Sequence, residues 1–270
     1  MGRIEERFKA LKRQGKKAFM PFVTACDPTP EATVAVVAAL EAAGADMVEL
    51  GIAYSDPLAD GPVIQDSYAR VLDAGRTVED VLKVVREIRA HSQIPLAGMV
   101  SYSIAWKKGL KAFSDAAADA GLDCLIVPDL PPEEARDLID DAAEDELGIV
   151  FLVTPTTQSQ RMKLIVEASS PFIYYVSVVG ITGAREALPM DLADGVRAVK
   201  ALTLKPVVVG FGVSSVETAT RAAKAADGVI MGSAIVKVVS DNRGRSVADI
   251  AKAVGDFAAP IAKAVKALQF

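Results

Sequence analysis

Eight short runs of aliphatic and β-branched residues recur along this chain, and alanine-rich stretches of helical periodicity fill the intervals. That alternation predicts a parallel sheet, because parallel neighbours need a crossover of a dozen or more residues between them. The runs fall at Ala18–Ala25, Met47–Leu50, Leu96–Val100, Cys124–Val127, Ile149–Val153, Phe172–Val176, Val207–Gly210 and Gly228–Met231. They are apolar on both faces, as strands covered by helices must be. Helices are expected over Glu31–Ala43, Val78–Ala90, Leu110–Ala120, Pro132–Asp145, Gln160–Ala168, Asp191–Leu202 and Val216–Ala225. Two more, Ile4–Gln14 and Ser246–Leu268, flank the repeat. In Ala43-Gly-Ala-Asp46 and Ala120-Gly-Leu-Asp123 the glycine takes the left-handed position that ends a helix.

Eight βα units in 270 residues, with no Pro/Gly/Ser-rich linker, predict a single (β/α)₈ TIM barrel over residues 1–270. An open doubly wound sheet is the alternative, and it would place GxGxxG after the first strand, where this sequence has none.

Composition narrows the function classes. Net charge is −5 with basic residues dispersed, which gives no footprint for nucleic acid. No apolar run reaches membrane-spanning length, and the opening MGRIEERFKALKRQGKK is charged throughout, so no membrane role and a cytoplasmic location are expected. The two cysteines, Cys26 and Cys124, are isolated, and no HxxxH or Asp-rich cluster suggests a metal. The one histidine, His91, falls at the tail of a helix, so catalysis through a Ser-His-Asp or Cys-His arrangement has no base.

In a barrel of this kind the chemistry sits on the loops after the strands. Glu49 closes the apolar run Asp46-Met-Val-Glu-Leu50; a carboxyl aimed into a barrel mouth is desolvated and suited to moving protons. A structural, hydrogen-bonded Glu is the other reading of the same position. Asp60 follows in a proline-bounded loop, where an Asp-Gly turn is the competing explanation, as it is for Asp56 before Pro57. At the other end of the sequence, Val209-Gly-Phe-Gly-Val-Ser-Ser215 and Ile230-Met-Gly-Ser-Ala-Ile235 set glycines directly before helix starts. Bare backbone N–H groups at a helix N-terminus favour a phosphate dianion, and the loops after strands seven and eight are the usual phosphate site of the fold. A third glycine-rich stretch, Ser177–Arg185, has the composition of a closing lid or, equally, of an ordinary surface loop. Phe22, Tyr174 and Phe211 lie at or near strand ends, where they line a pocket or pack the core.

Taken in order, Met20–Pro28, Glu49–Gln65, Ile126–Pro132, Thr154–Thr157, Tyr174–Arg185, Gly210–Gly212 and Gly232–Ile235 resemble the tryptophan synthase α subunit family over nearly the whole chain. Ser55-Asp-Pro-Leu-Ala-Asp-Gly-Pro-Val-Ile-Gln65 is the most specific of these segments. The resemblance implies a (β/α)₈ barrel that cleaves indole-3-glycerol phosphate to indole and glyceraldehyde 3-phosphate by a retro-aldol reaction. Glu49 then matches the acid/base and Asp60 the carboxylate that steadies the charged indole ring. Thr182 matches a lid residue that orients Asp60, and Gly183, Gly212, Gly232 and Ser233 match the phosphate cradle. Phe22, Tyr174 and Phe211 match the indole pocket. No cofactor or metal is implied for this chain; the implied partner is a pyridoxal-phosphate β subunit in an α₂β₂ complex. A free-standing lyase and a weakly active barrel that activates a β subunit are the alternatives. The chain departs from the family pattern at Ala53 and Tyr54, where Pro-Phe is usual, at Ser101–Ala105, and at Cys26, where Gly is frequent.

Overall fold

The computed structural model describes residues 2–57, 60–177, 192–210 and 212–269. Its strands are β1 Ala18–Thr24, β2 Val48–Gly51, β3 Leu96–Met99, β4 Cys124–Ile126, β5 Gly148–Val150, β6 Leu152–Val153, β7 Ile173–Val176, β8 Val207–Gly210 and β9 Gly228–Met231. All pairs are parallel, in the order β5-β4-β3-β2-β1-β9-β8-β7-β6. The fifth predicted strand is thus two strands. β5 pairs with β4 and β6 with β7, and between them the Phe151 N–H turns to Ser169 Oγ at 3.0 Å instead of joining a ladder. Because the two edge strands are consecutive in the chain, the sheet returns on itself as a TIM barrel, and the expected eight βα units account for its nine strands.

Alternation along the strands divides the core in two. One set of side chains fills the barrel, among them Met20, Phe22, Met47, Cys124, Phe172 and Tyr174. The helix Arg3–Arg13 closes the N-terminal end by adding Ile4, Phe8 and Leu11 to that interior, with Phe8 and Phe172 ring centroids 6.2 Å apart. The other set, including Phe19, Val23, Leu50, Leu125 and Val209, faces the surrounding helices.

Turns entering the strands repeat one device. Gly44 (φ 103°) and Gly121 (φ 106°) end their helices in the left-handed region. Two residues on, Asp46 accepts the Phe19 N–H and pairs with Arg7 and Lys266. Asp123 accepts the Leu96 N–H and pairs with Arg89 and Arg3. Asp227, before β9, accepts the Val207 N–H and pairs with Lys200. Each carboxylate ties the start of a neighbouring strand, and each is compensated by a cation, as burial of a charge requires.

Pro62–Asp73 and Tyr102–Lys108 are helices where none was expected, and the helix start expected after Gly232 is that of Ser233–Asn242. Proline at the first helical position opens the first of them, which buries Ile64, Ser67, Tyr68 and Val71 on one face. Pro132–Asp145 is not one helix: a 3₁₀ turn at Pro132–Glu134 precedes a helix confined to Arg136–Ala143, the turn being wound tight behind Pro131. Cys26 has φ 68°, a backbone setting in which glycine is at ease and which explains why glycine suits this position. Among the described residues no helix is long and apolar enough to cross a membrane.

Candidate active site

The register carries one residue from each of five strands to a common level: Phe22, Glu49, Ala97, Cys124 and Gly148. Glu49 points inward at that level and is fully buried, and neither carboxyl oxygen has a hydrogen-bond partner. A carboxylate so placed has lost its water and gained nothing in return. Burial, reinforced by the negative charge of Asp60, pushes the Glu49 carboxyl up from 4.5 to about 8. The paired aspartates Asp46, Asp123 and Asp227 lie at the opposite ends of the strands.

Asp60 comes from the loop after β2. Its N–H donates to the Pro57 carbonyl at 3.0 Å, and Gln65 Nε donates to the Asp60 and Pro57 carbonyls at 2.7 and 3.2 Å. Gln65 belongs to the helix Pro62–Asp73, so the helix start grips the loop from within. The Asp60 side chain is nearly buried and its carboxyl is raised to about 6 by that burial. Asp56 behaves differently: it is exposed and accepts from Ser55 Oγ at 2.6 Å, which is the ordinary turn reading.

Phe22, Glu49, Asp60, Tyr174, Gly212, Gly232 and Ser233 all line one cavity of about 350 Å³ at the C-terminal ends of the strands. Thr182, Gly183 and Phe211 lie outside the described residues. Ile64, Met99 and Ile230 complete the apolar wall between the acids and the glycine loops. These three were not singled out from the sequence, although Ile64 sits on the i, i+3, i+4, i+7 face of a helix that was itself missed.

The far end of the cavity is polar through its backbone. Gly232 is the N-cap of the helix Ser233–Asn242, whose first backbone bonds run from Ile235 and Val236 to the Gly232 carbonyl. The N–H groups of Ser233 and Ala234 therefore have no place in the helix ladder and sit at its positive end. Across from them, Gly212 has φ 71°, in the left-handed region. The N–H groups of Ser214 and Ser215 are already committed to Thr218 Oγ, at 2.9 Å each. The N–H groups outside the helix ladder are thus those of Ser233 and Ala234, while Ser214 and Ser215 serve the helix that follows them. The cavity thus joins an apolar wall and two buried carboxyls to the backbone donors of a helix start.

A family model for "Tryptophan synthase alpha chain" matches residues 8–266. A tryptophan synthase alpha chain from Geobacter sp. (strain M21) is 44% identical over 265 residues, covering 98% of each protein. One from Rhodopirellula baltica is 44% identical over 274 residues, covering 98% of this chain and 99% of that one. Among solved structures, the tryptophan synthase subunit alpha of Legionella pneumophila str. Paris superposes with a TM-score of 0.89 at 34% identity, with 98% of both chains covered. Mycobacterium tuberculosis tryptophan synthase gives a TM-score of 0.90 at 32% identity, again over 98% of both.

Proposed function

The chain belongs to the tryptophan synthase alpha chain family, and from that premise we propose that Glu49 and Asp60 carry out the retro-aldol cleavage of indole-3-glycerol phosphate in this cavity. The observation that carries the assignment is the pair of carboxyls with ordinary values pushed apart, Glu49 to about 8 and Asp60 to about 6. Near neutral pH one is an acid and the other an anion, which are the two states the reaction needs.

The substrate phosphate rests on the N–H groups of Ser233 and Ala234 and against the Gly212 turn. The family resemblance assigns Gly183 to the phosphate, Thr182 to the orientation of Asp60 and Phe211 to the indole ring. The indole ring lies between Phe22 and Tyr174. Protonated Glu49 gives its proton to indole C3, and the positive charge that this creates spreads to the ring N–H, where the Asp60 carboxylate holds it. The Glu49 carboxylate then takes the proton of the side-chain hydroxyl next to the bond being broken. The oxygen forms a carbonyl, and the electrons of the carbon–carbon bond return to the ring and neutralise it. Indole and glyceraldehyde 3-phosphate leave, and Glu49 is again protonated.

The family implies a β subunit as partner, to which this α chain would deliver indole; we infer an α₂β₂ assembly in the cytoplasm, with residues 1–270 as one barrel domain. An assay for indole released from indole-3-glycerol phosphate, with and without added β subunit, tests the reading. Release that rises when β subunit is added is the expected outcome. No release under either condition would remove it, and full release without the partner would favour a free-standing lyase.

A further inference from the structure

Like the Glu49 carboxyl, the hydroxyl of Tyr68 is buried and has no hydrogen-bond partner. A buried tyrosine normally gives its hydroxyl a partner, so an unpaired one calls for a reason. Tyr68 is 1% exposed and stands on the buried face of the helix Pro62–Asp73, next to the loop that carries Asp60. The helix is pinned to β1 at this point: Ser67 Oγ lies 2.6 Å from Thr24 Oγ and donates to the Ile64 carbonyl at 2.7 Å. Tyr54 packs on the Tyr68 ring from the other side, with centroids 5.7 Å apart.

The hydroxyl enters the barrel at Gly51. A Cβ at that position would meet the tip of the Phe22 ring and would lie 2.8 Å from Tyr68 Oη. Gly51 is two residues beyond Glu49 on β2, so both face the interior and their Cβ directions are stacked roughly 6.6 Å apart. The missing side chain at Gly51 therefore leaves a notch directly above Glu49, and the Tyr68 hydroxyl fills it. A glutamate side chain is long enough to span most of that interval. Among the described residues the one cation lining the cavity is Lys237, which is paired with Asp241. The other described titratable groups that feel Glu49 are Asp60, Tyr174 and Cys124, and none of them brings positive charge.

We propose that Tyr68 is a positioning residue for the proton relay, its phenol O–H donating to the Glu49 carboxylate at the moment that acid has given up its proton. Protonated Glu49 carries no charge for this bond to steady, and both groups are unpaired in the structure. The proposal rests on the assignment of Glu49 as the proton carrier. A hydrogen bond made only to the charged state steadies the intermediate without strengthening substrate binding.

Tyr68→Phe tests it, since the ring and its packing stay. Turnover should fall roughly 10- to 100-fold with KM nearly unchanged, as for one lost hydrogen bond to a charge. Carbon NMR on protein labelled at the Glu carboxyls, with Glu49→Gln to assign the signal, reads the Glu49 titration without substrate. Loss of the donor should move that titration upward by about one to two pH units. An unmoved Glu49 titration, a shift confined to Asp60, or a raised KM at constant turnover would each overturn the proposal. Were the wild-type protein to release no indole, the proposed reaction would fail on its own, while the NMR titration would still decide for or against Tyr68.

Discussion

Glu49→Gln should make the protein more stable while it destroys turnover, and the gain should depend on pH in a way that only a buried, unpaired acid produces. In the unfolded chain a glutamate ionises near 4.5; in the barrel Glu49 holds its proton to about 8. Between those values folding must put a proton onto a group that would otherwise be charged in water. The sign follows: the folded state binds the extra proton, so stability falls as pH rises from 4.5 to about 8 and levels off beyond. At pH 7 two and a half powers of ten separate the solution from the ordinary ionisation, and each is worth about 1.4 kcal/mol, for a cost of about 3 kcal/mol. A buried glutamine has the same size and no charge, so it escapes this cost. Denaturant unfolding at pH 4.5, 6, 7 and 8 measures the difference between the two proteins. Near pH 4.5 they should be similarly stable; at pH 7 the variant should lead by about 3 kcal/mol, or by about 2–4 °C of Tm per kcal/mol. Its indole release should meanwhile drop about 10²–10⁴-fold. An equal stability increment at pH 4.5 and pH 8 would refute the reasoning, because glutamine would then be acting through packing and not through charge.

If Asp60 must be ionised and Glu49 protonated, kcat/KM for indole release should be bell-shaped, with limbs near 6 and 8; a rate that keeps rising past pH 8 would contradict the roles. Asp60→Asn should lower kcat by roughly 10²–10³ with a smaller effect on KM, since its charge is needed mainly when the ring is positive; a raised KM at constant kcat would reassign it to binding. Gly212→Val forces a β-branched side chain into φ 71° and should weaken inorganic phosphate or glyceraldehyde 3-phosphate strongly in a calorimetric titration, whereas Ser233→Ala should weaken it less because backbone donors remain. Unaltered phosphate affinity in Gly212→Val would remove the cradle from that loop.

Much of this architecture is written in period and punctuation. Strand positions were readable because helix-covered strands are apolar on both faces, and the glycine turns before Asp46 and Asp123 because φ above 100° is closed to other residues. What escaped was settled by tertiary context. The interruption at Phe151 depends on Ser169, a residue from the following unit that no local pattern announces. The helix Pro62–Asp73 carried a helical face in Ile64, Tyr68 and Val71, but the turn residues ahead of it, from Asp56 to Pro62, read as loop and hid its start. Tyr68 escaped for the same reason. Its part in the cavity depends on Gly51, a residue whose importance lies in a side chain it does not have.

Glu49 and Asp60 were visible for a different reason, and the contrast with the other buried acids explains it. Asp46, Asp123 and Asp227 sit at strand starts, and each is answered by a backbone N–H and at least one cation. An acid beside a strand is therefore not in itself a sign of function in this chain; the three at the N-terminal ends are fasteners. Glu49 stands inside a strand with no partner, and Asp60 is buried at the mouth with its backbone held. Folding gains nothing from either; on the electrostatic argument above, both oppose it near neutral pH. At one end of the barrel Asp46, Asp123 and Asp227 are neutralised by cations, whereas Glu49 toward the other end is left unpaired. The paired end fixes the strands, and that rigidity lets the open end hold Glu49, Asp60 and Tyr68 in positions they would not choose for themselves.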